Sequence, residues 1–133
     1  MTSIEVKTAD LIGPALDWAV AMAEGAKPER PHDGQVSFGS VHLLCGSDQE
    51  RGFHAPFYSP STDWSQGGPL IARERIGLWP TSNGYFAEKR HFGRHHKAGR
   101  SYGEGPTSLI AAMRCLVAAK LGDTVQVPEE LLP

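Results

Sequence analysis

Very little in this sequence reads as a ready-made chemical device. Cysteine is scarce: only Cys45 and Cys115 occur in 133 residues. They lie far apart in dissimilar apolar contexts, which argues for reduced thiols in a cytosolic protein and against a disulfide framework. Apolar surroundings also disfavour the thiolate that covalent catalysis needs. No apolar run approaches the roughly 20 residues of a membrane-spanning helix, and the first residues lack the basic-then-apolar layout of a signal peptide. No membrane partner is therefore expected. A net charge of −2 predicts neither nucleic-acid nor membrane binding from the global balance. There is no Walker-type phosphate loop, no dinucleotide glycine fingerprint, no Ser nucleophile elbow and no two-Cys zinc pattern. With no assembled catalytic set, no cofactor is assigned and the balance tilts against an enzyme.

What is present suffices for one core. Hydrophobic residues make up 40% of the chain, ordinary for a folded globular protein, and the length fits one domain spanning residues 1–133. Gly13-Pro14 opens a helix, since Pro at a first helical position loses no hydrogen bond. Leu16, Ala19, Val20 and Ala23 form its apolar stripe, and Gly25 is a natural stop. Trp18 falls off the centre of that stripe, either packing on its flank or walling a cleft. A second Gly-Pro pair, Gly105-Pro106, opens the surest element. Leu109, Ile110, Met113, Leu116, Val117 and Leu121 recur there at three-and-four spacing. Burying six such side chains is worth roughly 1.5–3 kcal/mol each before entropy is counted. Ala111, Ala112, Cys115, Ala118 and Ala119 make a small-residue face beside it, fit for close approach of a helix or sheet. Arg114 reads first as a surface arginine, with the alternative that it reaches back over a sheet edge to a carboxylate.

The strand signals lie between and outside these helices. Residues 3–7 alternate, with Ile4 and Val6 on one side, as a half-buried strand does. Val41 to Cys45 reads as a short buried strand with a structural His42, after a loop over residues 27–40. Leu70 to Leu78 reads as a strand closed by Trp79-Pro80. Asn83-Gly84 marks a hairpin turn, and Tyr85 to Glu88 the returning strand. Thr124 to Val127 is an extended tail stopped by Pro128. The expected fold class is α+β, a small antiparallel sheet with two main helices, near the N- and C-terminus, packed against it. The small-residue face and an edge strand at Ile4 to Val6 both permit a homo-oligomer.

The oddest stretch is Tyr58-Ser59-Pro60-Ser61-Thr62-Asp63-Trp64-Ser65-Gln66-Gly67-Gly68-Pro69-Leu70-Ile71. It lacks helical or strand periodicity yet carries two large aromatics and many short polar groups, the mark of a pre-shaped loop. Tyr58 and Trp64 could stack on a planar base while Ser59, Ser61, Thr62, Ser65 and Gln66 hydrogen-bond its edges. Gly67 and Gly68 would let backbone N–H groups approach a ligand. Asp63 could accept from a ribose or a base amine, Arg73 could meet phosphate, and Trp18 could add an aromatic wall. The competing reading is local: Asp63 and the hydroxyls cap the loop's own backbone, with Trp64 plugging the core. Asp63 as a general base has no located partner.

Lys89, Arg90, Arg94, Lys97 and Arg100 cluster with His91, His95 and His96 among glycines. This reads either as a solvated hairpin tip or as an anion-binding arm, a mobile basic loop at residues 89–104 in which Arg90, Arg94, Lys97 and Arg100 hold phosphate. A zinc site on His91 and His95 lacks a completing shell, so no metal is assigned.

The run from Gly13-Pro14-Ala15-Leu16-Asp17-Trp18-Ala19 resembles the NinX-like phage proteins, as do the Tyr58 to Ile71 stretch and the Leu78-Trp79-Pro80 corner. So does the closing stretch from Gly105-Pro106-Thr107 through Met113-Arg114-Cys115 to Lys120-Leu121-Gly122-Asp123 and Val127-Pro128-Glu129-Glu130-Leu131. Residues 27–55 and 88–103 carry no part of the resemblance. It implies a small phage or prophage accessory protein acting in the cytoplasm of an infected or lysogenic bacterial host, and it brings no catalytic residues onto this chain. The expected function is non-enzymatic binding of a small nucleotide-like ligand, for instance to sequester a host-defence signal. The alternatives are an interaction module acting on a host or phage protein, and nucleic-acid binding through the basic loop. An enzyme acting on nucleotides through Asp63 comes last.

Overall fold

The computed structural model describes residues 3–25, 58–91 and 99–133. The expected loop at 27–40, the strand from Val41 to Cys45 with His42, and the turn and aromatic segment up to residue 57 lie outside the described residues. The order of elements is β1 (Ser3–Lys7), a 3-10 turn (Thr8–Asp10), α1 (Gly13–Ala23), α2 (Trp64–Glu74), β2 (Gly77–Thr81), β3 (Gly84–His91), β4 (Gly99–Gly105), α3 (Ser108–Leu121), β5 (Thr124–Pro128) and a final 3-10 turn (Glu129–Leu131). The class is α+β, with two small antiparallel sheets where one was expected. β1 pairs with β5, joining the two ends of the chain, and β2, β3 and β4 form a three-stranded meander.

The first Gly-Pro opening behaves as expected, but the second does not: Gly105 ends β4, Pro106 lies before the cap, and α3 begins only at Ser108. Gly13 takes a positive φ of 61° and Pro14 sits in the first turn of α1. α1 is buried from Ala15 through Ala21, so it is a core helix and not a one-sided surface helix. Trp18 belongs to that core. At the second opening the Thr107 side chain accepts from the Ile110 N–H at 3.1 Å, capping α3. Leu109, Ile110, Met113, Leu116 and Val117 are buried as the spacing requires, but Leu121, at the last turn, is 39% exposed.

α3 meets the meander through its small residues. A Cβ at Gly103 would stand 2.2 Å from the Ala111 carbonyl oxygen and 2.5 Å from the Cys115 nitrogen, so β4 lies directly on the helix backbone. The small face is thus covered by the chain's own sheet. The Cys115 Sγ contacts the Ser101 carbonyl at 3.3 Å, and burial pushes its thiol up to about 12, far from a nucleophile's range.

Two expectations fail in the middle of the chain. The stretch taken as irregular becomes helix α2 from Trp64 onward, and the strand expected over residues 70–78 begins only at Gly77. Packing overrides propensity here. Gly67 lies so close to Pro60 that a Cβ would sit 2.4 Å from its carbonyl oxygen, and Leu70 is fully buried one turn later. Pro69 costs the helix one internal bond. The C-terminus closes on Arg75 in the left-handed region, φ 53°, with Arg75 N–H to Ala72 O at 3.3 Å and Ile76 N–H to Ile71 O at 3.1 Å. That is the usual glycine ending built without glycine, which hid the boundary. Glu74, the last helical residue, pairs with Lys120 at 2.9 Å and Lys89 at 3.7 Å, tying α2 to α3 and β3. Burial pushes its carboxyl up, but Lys120, Lys89 and Arg73 together hold it below the ordinary value.

The hairpin forms in this stretch, but its two turn residues are Ser82 and Asn83, with Thr81 opposite Gly84, so Gly84 is already strand. Gly84, however, is needed for closeness and not for a positive φ. A Cβ there would stand 2.4 Å from the Gly105 oxygen. Pro80 does not close β2 but lies within it, which an edge strand tolerates.

Two glycines separate these effects. Gly103→Ala is expected to lower stability by about 2–3 kcal/mol in chemical denaturation, because helix backbone cannot yield to the added methyl. Gly68→Ala meets only an ordinary contact, 3.6 Å from the Trp64 ring, and its helix-propensity gain is offset by the crowding that Pro69 imposes on the residue before it, so the change should stay within about 1 kcal/mol. Equal effects from the two substitutions would refute this account of the packing.

Candidate functional site

The central segment turns inward and bonds to itself. Tyr58 is buried, at 1% exposure. The Ser59 amide donates to Gln66 Oε1 at 2.7 Å, and the Thr62 and Asp63 amides donate to the Ser59 carbonyl. The Asp63 carboxylate accepts from the Ser65 amide at 2.9 Å and the Ser65 hydroxyl at 2.7 Å, the N-cap of α2. Gln66 and Gly67 are buried, and their amides bond the Asp63 carbonyl. The local reading of these polar groups is therefore the one their geometry supports. Its second half fails: Trp64 does not plug the core but stands 55% exposed. Arg73 lies nine residues along the same helix, roughly 13 Å away by helical rise, paired with Glu24 and Glu74. The structure thus joins Ser59, Asp63, Ser65 and Gln66 in one hydrogen-bonded turn and ties Ser61 to α1, while Tyr58 and Trp18 lie in the core and Arg73 lies further along α2 from Trp64.

One buried group here escaped the sequence reading. Asp17 on α1 is only 4% exposed, and Oδ1 accepts the Ser61 amide at 2.9 Å. Desolvation raises its carboxyl to about 6, against the lowering effect of hydrogen bonding from Ser61. The available signal was an acid inside an otherwise apolar helix. Asp17 pins the turn before α2 to α1 and so positions the whole segment.

The larger concavity lies elsewhere. A groove of about 750 Å³ runs from the hairpin end of the meander, past β4, to the β1–β5 ladder. Lys7, Thr8, Thr124 and Asp123 line one side, Tyr85, Tyr102 and the Gly103 to Gly105 backbone the other. Arg114 lies between them, its Nε donating to the Leu11 carbonyl at 2.8 Å and its Nη1 to the Glu104 carbonyl at 2.7 Å. It does reach over the sheet edge, and its partners are carbonyls. Desolvation lowers its guanidinium below the ordinary arginine value, partly offset by Asp10. Thr8 Oγ1 donates to the Gly122 carbonyl at 2.7 Å, holding the 3-10 turn to the end of α3. Sequence reasoning missed this groove because segments from both termini and the meander form it, and no single stretch announces it.

Of the basic cluster, Arg90 and Arg100 stand opposite each other across β3 and β4. The ends of the expected loop are therefore strand. Arg94, Lys97, His95 and His96 lie outside the described residues. Among the described residues, no group of three or more His, Cys, Asp or Glu side chains is placed to hold a metal ion, and no helix is long and apolar enough to cross a membrane.

Fold and site together define a small α+β protein with a self-capped central helix and an arginine-floored groove between two sheets. The family model described as Bacteriophage P22, NinX matches residues 7–120, which is 114 of the 133 residues, and the chain belongs to that family. It is a phage accessory protein, as the resemblance implied, and the matched span includes the two stretches that carried no resemblance. No curated protein gives a match.

The Asp17 carboxyl makes a pH prediction with a definite sign. Its folded pKa is raised, so its contribution is fully present below the unfolded value near 3.8 and is lost as pH rises through about 6. Between about pH 4 and pH 7, wild type should lose roughly 2–4 kcal/mol relative to Asp17→Asn, whose amide oxygen can still accept from Ser61. Parallel stability-against-pH curves for the two proteins, from urea titrations, would contradict this.

Proposed function

We propose that the protein is a non-enzymatic binder of a small nucleotide-like molecule, and that the molecule sits in the groove beside Arg114 and not on the segment at residues 58–69. The observation that carries this reading is the groove itself. Its 750 Å³ suits a ligand of that size. Tyr85 supplies an aromatic face, Lys7 and Arg114 supply positive charge against Asp123 and Glu104, and Thr81, Asn83 and Thr124 supply hydroxyl and amide groups. For a phage accessory protein, such binding would serve by sequestering a signal nucleotide of host defence. The central segment has the opposite character, with its aromatic Tyr58 buried and its carboxylate committed to capping.

A second reading has one specific observation behind it. Trp64, 55% exposed at the start of α2, suits an anchor for a host or phage protein. On that reading Trp64→Ala keeps the fold, leaves small-molecule binding intact and removes a protein partner in pull-down.

Thermal and chemical denaturation against cyclic and ADP-ribose-type nucleotides tests the first reading. A true ligand at 100-fold over its Kd adds about 2.7 kcal/mol. Tyr85→Ala and Lys7→Ala, both at exposed positions, should abolish that gain while the unliganded proteins melt normally. Absence of stabilisation by any member of the series, or gains that survive both substitutions but not Trp64→Ala, would overturn the groove assignment.

A further inference from the structure

One face of the meander lies on α3, and among the described residues the opposite face leaves Trp79 and Tyr102 exposed. Ala87 and Gly103 point to the helix and are buried. Because side chains alternate along a strand, Trp79, Phe86 and Tyr102 share the other face. The register agrees, since Trp79 lies opposite Phe86, and Phe86 opposite Glu104, two residues from Tyr102. The three rings form a row across the strands, with centroids 6.2 Å apart from Trp79 to Phe86 and 5.4 Å from Phe86 to Tyr102. Trp79 and Tyr102 remain about half exposed, at 50% and 51%.

Charge is concentrated beside this row. Arg90 and Arg100 face each other on adjacent strands, where like charges repel. One carboxylate, Glu88, serves both, at 3.5 and 3.4 Å, so one positive charge is left over at that end of the face, while Glu104, exposed opposite Phe86, carries the negative charge at the other end. Next to Trp79 opens a cleft of about 300 Å³ lined by four cations against two carboxylates. Its lining includes Arg75, which is exposed and makes no ion pair among the described residues. A chain whose net charge is −2 thus carries a local surplus of positive charge where its exposed aromatics are.

We infer that this sheet face binds single-stranded nucleic acid, with bases stacked on Trp79, Phe86 and Tyr102 and phosphates drawn to Arg75, Arg90 and Arg100. Exposed rings suit the π-faces that every base carries, and arginines suit the backbone between them. A duplex offers no such π-faces, because its bases are already stacked. The face reads neither base edges nor sugar, so DNA and RNA strands are bound alike. This surface goes beyond the small-ligand groove and stands or falls separately from it.

Fluorescence anisotropy with labelled oligo-dT and oligo-U, each of roughly 12 nucleotides, tests the inference on the full chain. Both should bind within a few-fold of each other and much more tightly than a duplex of equal length. Neutralising about three phosphates should weaken binding roughly 20-fold between 50 and 200 mM salt. Trp79→Leu should cost about fivefold or more. Arg75→Asn, a residue at home at positive φ, should reduce the slope of log affinity against log salt by about 0.7. Circular dichroism and melting establish that each variant folds, and Tyr102→Leu provides a second aromatic variant if Trp79→Leu does not. Three results would overturn the proposal: no binding at low salt, equal affinity for duplex, or unchanged affinity in folded variants of both rings. A dimer that Trp79→Leu dissolves and oligonucleotide does not displace would also overturn it, assigning the face to a second copy.

Discussion

The structure depends on a contact that has no room for a side chain. β4 crosses α3 with Gly103 against the backbone of Ala111 and Cys115, and close-packed interiors give backbone no way to yield. This sets the depth at which the meander lies on the helix. Arg114 immediately precedes Cys115, so the same seating brings its guanidinium to the Glu104 carbonyl on one side and the Leu11 carbonyl on the other. The groove between the sheets follows from that reach. The opposite face follows as well: strands that lie this close on one side turn every alternate residue away from the helix on the other.

How much of this the sequence disclosed depends on whether the relevant cause was local. Gly13-Pro14 marked the start of α1, and Gly105-Pro106 and Asn83-Gly84 lay beside α3 and the hairpin turn without fixing their first residues, because proline geometry and turn chemistry act within a few residues. The apolar spacing of α3 was legible for the same reason. The α2 boundaries were not. Its start depends on Gly67 fitting under Pro60, and its end on an arginine in a conformation normally announced by glycine. The pairing of β1 with β5 joins residues more than a hundred positions apart, and only its two strands, not their partnership, could be read from alternation.

The candidate site shows the same division more sharply. Tyr58, Asp63 and Trp64 are chemically suggestive side by side, and their neighbourhood in sequence made them look like one site. Folding sends them to three different fates. Tyr58 enters the core, Asp63 caps a helix, and Trp64 stays in solvent. Proximity along the chain says which residues can share a turn, not which share a surface. The residue that does organise this region, Asp17, sits 44 positions from the Ser61 amide it holds. It looked unremarkable because an acid on a helix is usually solvated.

Charge completes the argument, because the overall balance concealed its arrangement. The acids at the Arg90 end of the meander are engaged as internal partners, Glu74 with Lys89 and Lys120, Glu24 with Arg73, and Glu88 with two arginines at once, whereas Glu104 stands exposed at the far end of β4. A carboxylate between cations neutralises only one of them, and Arg75 lies outside these pairs. Positive potential is therefore left at one end of the sheet although the chain as a whole is slightly acidic. Steering by charge depends on such local fields, which decay within about 8–10 Å at ordinary salt, and not on a sum over 133 residues. An anionic partner approaching the Trp79 face meets the local excess first, so the net charge that argued against such partners at the level of composition has no force there.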